Sequence, residues 1–196
     1  MSAAALRDHY RAQFATHGDA ALATQMSREG QHFRFGKLLE IGDLTDRSVL
    51  DVGSGLGDLY PFLREAYPAA RYEGVDVVPE MVACASGKYP EVRFRVADLL
   101  HERLTNRYDY VLMSALFNNA APDSTEFLER LVVGAWEHAT VGLAFNFLST
   151  HVNFADGALA YHDPARVLDF VIRRLSWKVR MAHHYERCDV AVFVYR

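Results

Sequence analysis

The sequence predicts an α/β protein with a doubly wound, mainly parallel sheet of seven strands, preceded by a helical segment. Three observations lead to this class. Short apolar runs and helical patterns alternate repeatedly after Ser48. The first apolar run, Val49–Val52, ends in a glycine-rich turn, and two strand-like runs close the chain as a hairpin. Alternation of this kind builds a parallel sheet covered by helices.

The first quarter of the chain predicts two helices. Leu6, Tyr10 and Phe14 recur every four residues and indicate one helix over residues 2–17. A second helix is expected over residues 25–41, ended by Gly42. A length of 196 residues is that of one domain, so we expect residues 1–196 to fold as a single unit.

The remainder alternates between strands and helices, with recognisable helix starts. Pro79 stands at the favoured first helical position, Asp123 and Glu126 have the capping-box spacing, and Pro164 opens the last helix. A polar turn near Glu186–Arg187 is expected between the last two strands. The predicted strands are 48–52, 71–76, 92–96, 108–114, 140–147, 177–181 and 190–195, and the predicted helices are 57–67, 79–88, 124–138 and 164–174.

Composition favours an intracellular globular protein. Hydrophobic residues make up 51% of the chain, which is enough for a substantial core, and the net charge is −4. That balance argues against a protein whose main task is to bind a phosphate backbone. Cys84 and Cys188 have no metal-like spacing, and neither a signal peptide nor an 18-residue apolar run is evident. We therefore expect a cytoplasmic protein with no membrane segment.

The glycine-rich turn is the strongest candidate for a ligand site. Gly53, Gly55 and Gly57 follow a buried strand and precede a helix, so the main chain can take positive φ and approach a ligand closely. A second strand-like run ends in Asp76, 19 positions after Gly57. In a βαβ unit an acid at that place lies beside the ligand and can accept both hydroxyls of a ribose.

From Asp51 to Gly57, with the acid at Asp76, the chain resembles the class I S-adenosylmethionine-dependent methyltransferases. The glycines are spaced G-x-G-x-G, whereas the nicotinamide and flavin fingerprint is G-x-G-x-x-G. The resemblance covers roughly residues 48–196 and is specific over 49–77. It implies an antiparallel last strand, an N-terminal lid over residues 1–45 and a Rossmann-like core over residues 46–196.

The resemblance also implies the cofactor, S-adenosyl-L-methionine, with S-adenosyl-L-homocysteine as the product. The glycines border its methionine and ribose, Asp76 holds the ribose hydroxyls, and Val77 and Met81 flank the adenine. Asp98 accepts the adenine amine. The residues expected to bind the cofactor are Asp51, Gly53, Ser54, Gly55, Gly57, Asp76, Val77, Met81, Asp98, Leu99 and Ser114.

Methyl transfer from a sulfonium is a direct displacement, so the protein mainly aligns the reactants and excludes water. Where the acceptor carries a proton, a base helps, and His151 and His162 are the candidates. No metal site is expected, because the adjacent His183 and His184 point to opposite faces of a strand. The residues expected to contact the acceptor are Phe117, Asn118, Asn146 and Tyr161.

The leading interpretation is an enzyme that methylates oxygen, nitrogen or sulfur of a small molecule. An RNA or protein methyltransferase is a second interpretation, and it requires a basic face. A non-catalytic cofactor-binding module that keeps the fold as a regulator or partner subunit is a third, although a protein freed from cofactor binding has no need for the glycine turn and both acids. Nucleic acid and membrane are not expected partners. The arginines that a basic face would use are Arg71, Arg93, Arg95, Arg103 and Arg107.

Overall fold

A computed structural model describes residues 3–121, 123–153, 155–184 and 188–196. The turn predicted near Glu186–Arg187 lies outside these residues. The helices are α1 (Ala3–His17), α2 (Arg28–Leu39), α3 (Leu59–Ala66), α4 (Pro79–Lys88), α5 (Ser124–Trp136) and α6 (Pro164–Arg174), with a short 3-10 helix at Ala21–Thr24. The strands are β1 (Ser48–Val52), β2 (Arg71–Asp76), β3 (Arg93–Val96), β4 (Tyr108–Met113), β5 (Ala139–Ser149), β6 (Tyr161–His162), β7 (Val179–Ala182) and β8 (Asp189–Tyr195).

One sheet contains all eight described strands. Its main path is β3-β2-β1-β4-β5-β8-β7, and β6 pairs with the end of β5. The pairs from β3 to β5 are parallel, whereas β8 runs antiparallel to both β5 and β7. The doubly wound sheet and the antiparallel last strand predicted from the sequence are confirmed.

The differences from the predicted elements lie at the ends of helices and strands and in one added strand. β5 continues to Ser149, and Ser149 and Leu148 pair there with the two-residue strand β6, which periodicity cannot detect at that length. β7 begins at Val179, whereas the sequence predicts a strand from Trp177. Trp177 has the apolar character of a strand residue, but its side chain is 76% exposed.

The two faces of the sheet bury alternate residues of the same strands. Leu50 and Val52 of β1 face one layer, which the sheet forms with α5 and α6. Val49, on the opposite face of β1, joins the layer that contains α2 and α3. The alternation follows the two-residue period of a strand and gives the three-layer architecture of doubly wound folds. None of the described helices is both long and apolar enough to cross a membrane.

The order of the strands determines where a ligand can bind. The chain moves outward from β1 to β2 and β3, and then returns to the other side of β1 with β4. The crevice above the carboxyl ends of β1 and β4 is therefore the topological switch point. α1 packs near this crevice, and the Nε of Arg11 lies 2.8 Å from a carboxylate oxygen of Glu80 on α4.

Candidate functional site

The turn after β1 takes a shape that only glycine adopts readily. Gly53 and Gly57 have φ angles of +74° and +76°. A Cβ atom at Gly53 would lie 2.1 Å from the side chain of Leu116, and one at Gly57 would lie 2.7 Å from the ring of Phe94. Gly53 thus allows the post-β4 loop to approach the turn, and Gly57 allows the turn to pack against β3.

Asp76, at the end of β2, is tied directly to this turn. One carboxylate oxygen accepts the backbone N–H of Gly55 at 2.8 Å, and the other accepts that of Val78 at 2.9 Å. Burial raises the pKa of Asp76, while the hydrogen bonds from Val78 and Gly55 act in the opposite direction. The side chain borders a cavity, and its remaining lone pairs can accept hydrogen bonds from hydroxyl groups.

The cavity above the turn encloses about 80 Å³, and a second cavity of about 40 Å³ lies next to it. Both are lined by residues from the ends of β1 and β4 together with the N-terminal segment. Gly53, Gly55 and Ser114 border both cavities. The predicted residues that border the larger cavity are Gly53, Gly55, Asp76, Val77, Met81, Asp98, Leu99 and Ser114. Those that border the smaller one are Asp51, Gly53, Ser54, Gly55 and Ser114.

The smaller cavity contains an unusual acid and two hydroxyl groups. Asp51 is buried and accepts a hydrogen bond of 2.6 Å from the hydroxyl of Tyr72. Burial raises the pKa of Asp51 to about 7, against the smaller lowering by Tyr72. The buried Oγ atoms of Ser54 and Ser114 have no hydrogen-bond partner among the described residues. Such groups are rare in folded proteins, and these two hydroxyls are available to bind water or a polar ligand.

The N-terminal segment covers the larger cavity. Tyr10 of α1, together with Thr24 and Met26, borders it. The Nδ2 of Asn119 donates to the hydroxyl of Tyr10 at 2.9 Å, which joins α1 to the loop after β4. Burial raises the pKa of Tyr10 to about 12. The sequence did not identify these residues as site residues, although the stripe containing Tyr10 had placed it on a buried helix face.

S-Adenosylmethionine matches this set of groups chemically. A ribose offers two hydroxyls to Asp76, and the amino-acid part offers polar atoms to Ser54 and Ser114. The cavities are nevertheless smaller than the roughly 300 Å³ or more that ligand pockets enclose. The side chain of Leu116 lies against Gly53, and the methyl group of Thr24 lies close to Gly55. Cofactor binding therefore requires these side chains, above all that of Leu116, to move away from the turn.

Several predicted residues have other surroundings. Gly57 packs against Phe94, as described above, and borders neither cavity. Asp98 borders the larger cavity, but its oxygens already accept from Leu100 N–H at 3.0 Å and contact the Nδ1 of His101 at 2.8 Å. A hydrogen bond from an adenine amine to Asp98, as predicted, therefore has to use oxygens that already have partners in the protein.

Neither of the two candidate bases borders the cavities. His162 is 3% exposed, and its Nε2 lies 3.1 Å from the carbonyl oxygen of Phe117. Burial lowers the pKa of His162, so the neutral ring donates from Nε2 to that carbonyl. His151 is exposed and its ring lies near that of His183. Catalysis by either histidine stays a prediction that no contact with the cavity supports.

The residues expected to contact the acceptor are also mostly engaged elsewhere. Phe117 is 2% exposed and packs against Phe127 and Phe145. Asn146 is buried, and its Oδ1 accepts the N–H of Ala115 at 2.7 Å. The hydroxyl of Tyr161 accepts the N–H of Asp156 at 3.0 Å. The Oδ1 of Asn118 is buried without a described partner, which makes it the member of this set that is free to bind.

The methyltransferase domain family matches residues 49–133, from β1 into α5. The match covers less than half of the 196 residues, and this part of the chain is similar to that family. The malonyl-[acyl-carrier protein] O-methyltransferase of Acetivibrio thermocellus is 35% identical over 85 residues, 41% of this chain and 30% of the relative. A Mycobacterium tuberculosis protein named as a methyltransferase is 28% identical over 153 residues, 75% of this chain and 92% of that protein.

Further matches extend the similarity beyond this region, and one of them covers the fold of the whole chain. The trans-aconitate 2-methyltransferase of Rhodopseudomonas palustris is 32% identical over 97 residues, 50% of this chain and 38% of the relative. The magnesium protoporphyrin IX methyltransferase of Synechocystis, solved with bound SAH, superposes with a TM-score of 0.73 over 100% of both chains at 18% identity. The class I fold predicted from the sequence is thereby confirmed, and the family and curated matches agree with the predicted enzyme class and cofactor.

Coverage of the relatives differs greatly. The methyltransferase domain and its flanks span about a third of the malonyl and trans-aconitate relatives.

Among the described residues, no group of three or more histidine, cysteine, aspartate or glutamate side chains is arranged to hold a metal ion.

Proposed function

We propose that this chain transfers the methyl group of S-adenosylmethionine to an oxygen, nitrogen or sulfur atom of a small molecule by direct displacement. The observation that carries the proposal is the coupling of Asp76 to Gly55, with two unpaired hydroxyls, Ser54 and Ser114, beside it. Together they provide one set of polar groups for a ribose and another for an amino acid. When bound, the cofactor supplies an activated methyl group on a cationic sulfur.

The chain's own contribution is to bind and orient the reactants and to exclude water. The Gly55 N–H holds the Asp76 carboxylate in one position, so that its free lone pairs meet the ribose in a fixed direction. Tyr10, Met26 and Leu116 cover the cavity and keep water from the methyl group. Residues 1–45 thereby act as a lid on a single domain. Lys88 connects the lid to the core through ion pairs with Asp19 of the lid and Asp58 of the core.

A small molecule suits the site better than a macromolecule. The arginines that a basic face would use are largely paired with carboxylates. Arg93 and Arg95 both lie close to Glu73, at 3.8 and 2.7 Å, and Arg103 pairs with Glu137 at 3.0 Å. The guanidinium of Arg107 donates to a backbone carbonyl. Three of the five arginines are thus paired with carboxylates, which weighs against the second interpretation, RNA or protein methylation. Localisation in the cytoplasm stays a prediction.

The proposal is tested by calorimetry with S-adenosylhomocysteine. We expect saturable binding to the wild-type protein and clearly weaker binding to Asp76→Ala. Asp169→Ala is the matched control, because it removes a carboxylate from the exposed face of α6, where Asp169 pairs with Arg173. Absence of binding to the wild-type protein would refute the proposed function.

A further inference from the structure

A partly buried arginine on the second helix of the lid contacts a residue that borders both cavities. Arg34 of α2 has a side chain that is 13% exposed. Its Nε donates to one oxygen of Asp189 at 3.2 Å, and its Nη2 lies 2.8 Å from the other. Asp189 itself is 1% exposed, so this is a largely buried ion pair in which the Nε–Oδ1 contact is a hydrogen bond.

The third guanidinium nitrogen has no oxygen partner. Nη1 of Arg34 lies 2.9 Å from the sulfur of Met26, and no described oxygen accepts from it. Thioether sulfur is a weak acceptor, so this contact leaves most of the donor capacity of Nη1 unused. Met26 borders both cavities. The unused donors of Arg34 are therefore separated from the cavities by one flexible side chain.

A hydrogen-bonded chain connects the arginine to the end of β4. The Nδ2 of Asn146 donates to Asp189 at 3.3 Å, and its Oδ1 accepts the N–H of Ala115 at 2.7 Å. Ala115 has a φ of +58° and directly follows Ser114, which borders both cavities. Arg34 is thus fixed relative to the strand end at the floor of the cavities.

The acids that border the two cavities all have partners within the protein: Asp51 has Tyr72, Asp58 has Lys88, Asp76 has Gly55 and Val78, and Asp98 has Leu100 and His101. The titratable residues that border them are Tyr10, Asp51, Asp58, Asp76 and Asp98. A hydroxyl or an ammonium group has to lose a proton to act as a nucleophile, which requires a base. A carboxylate is ionised at neutral pH and needs none. No cationic side chain is among the described residues that border the cavities, and Arg34, behind Met26, is the basic group that an anionic acceptor would reach once Met26 moves.

We propose that the acceptor is a carboxylate, that Nη1 of Arg34 binds it after Met26 has moved aside, and that the product is a methyl ester. This inference rests on the proposed function and names its substrate class. A carboxylate oxygen forms the new bond to the methyl carbon, the bond from that carbon to sulfur breaks, and its electron pair stays on sulfur. No proton is released or taken up.

The test uses cofactor with a tritiated methyl group and two kinds of acceptor. One is trans-aconitate, and the other is the low-molecular-mass fraction of a bacterial extract. Methyl esters release volatile methanol in mild alkali, whereas methyl ethers, amines and thioethers do not. We expect most of the transferred label to be volatile after alkali. If S-adenosylhomocysteine binds but the label is stable to alkali, or if no label is transferred, the carboxylate inference is wrong. In either case, binding of S-adenosylhomocysteine still supports the cofactor site of the proposed function.

Variants of Arg34 distinguish an acceptor role from a cofactor role. We expect Arg34→Gln to lower kcat/KM by about 10- to 100-fold, the cost of a charged hydrogen bond, with unchanged affinity for S-adenosylhomocysteine. Because that variant leaves Asp189 buried without its partner, Arg34→Gln combined with Asp189→Asn is made as well. Arg173→Gln, on the exposed face of α6, is the control.

Methylthioadenosine provides the comparison that decides between the two roles. It has the nucleoside and sulfur of the cofactor but lacks the amino-acid part. If the Arg34 variants weaken S-adenosylhomocysteine and leave methylthioadenosine unaffected, Arg34 binds the carboxylate of the cofactor, and the inference is overturned. Equal affinities of wild type and variants for both compounds, together with the fall in kcat/KM, support it.

Discussion

The backbone N–H of Gly55 and the carboxylate of Asp76 are joined by a hydrogen bond of 2.8 Å across two neighbouring strands. This bond makes the turn after β1 and the end of β2 one unit. A ligand that binds to the acid is therefore placed over the turn, and a change in either residue disturbs the other.

Asp76→Ala removes the acceptor of this bond and of any ribose hydroxyl. We expect it to weaken S-adenosylhomocysteine binding by roughly 1–3 kcal/mol, the cost of leaving buried polar groups unpaired. Asp76→Asn keeps one acceptor oxygen and should lose less. Calorimetry on both variants, with thermal unfolding as a check on folding, measures the difference. Wild-type affinity in Asp76→Ala would show that the ribose lies elsewhere.

Gly53→Ala places a methyl group where Leu116 lies, at a φ of +74°. We expect lower stability and strongly reduced cofactor binding, since alanine is strained at this angle by about 1 kcal/mol or more. Gly87→Ala is the matched control. Gly87 lies within α4, nothing is within 4 Å of an added Cβ, and helix propensity favours alanine by about 1 kcal/mol. Equal effects of the two changes on binding would contradict the role of the turn.

Asp51 predicts a dependence of stability on pH. Its pKa is about 7 in the folded chain, mainly because of burial, against 3.8 as the ordinary value. Between these values the unfolded chain releases the proton while the folded chain keeps it. The contribution of Asp51 is therefore most favourable below the ordinary value and is lost as the pH rises towards 7, by at most about 1.4 kcal/mol per pH unit.

Asp51→Asn should remove this part of the pH dependence. Urea unfolding of the wild type and the variant at several pH values between 4 and 8 measures it. As the pH rises, the unfolding free energy of the wild type should fall relative to that of Asp51→Asn. A difference that is constant over this range would mean that the Asp51 carboxyl is ionised throughout.

The contact between Tyr10 and Asn119 predicts how the lid affects cofactor exchange. Tyr10→Phe removes the hydroxyl and its hydrogen bond of 2.9 Å, worth about 0.5–1.5 kcal/mol. We expect faster release of S-adenosylhomocysteine and faster hydrogen exchange in α1. Tyr195→Phe is the control, because it also removes a hydroxyl hydrogen bond, to the carbonyl of Ile41. Equal release rates for both variants would mean that α1 does not hold the cofactor in place.

Much of the fold could be predicted from the sequence because its elements have strong periodicity. The strand from Val49, the glycine turn and Asp76 were also sufficient to indicate the cofactor site, since spacing along one βαβ unit fixes their positions. β6 was missed because two residues carry no periodicity, and its position depends on pairing with the end of β5.

Residues outside that βαβ unit were harder to place. Phe117, Asn146 and His162 have the polar or aromatic character of site residues, but long-range packing uses them to hold the loop after β4. Arg34 is not among the site residues expected from the sequence, and its ion pair with Asp189 spans 155 positions. No local pattern in the sequence reveals such a pair.

The most direct test of the central claim is a crystal structure of the chain with S-adenosylhomocysteine. We expect the ribose hydroxyls at Asp76, the sulfur above the turn between Gly53 and Ser114, and the side chain of Leu116 displaced from Gly53. A nucleoside bound away from this turn, or Leu116 still packed on Gly53 in the complex, would contradict the account.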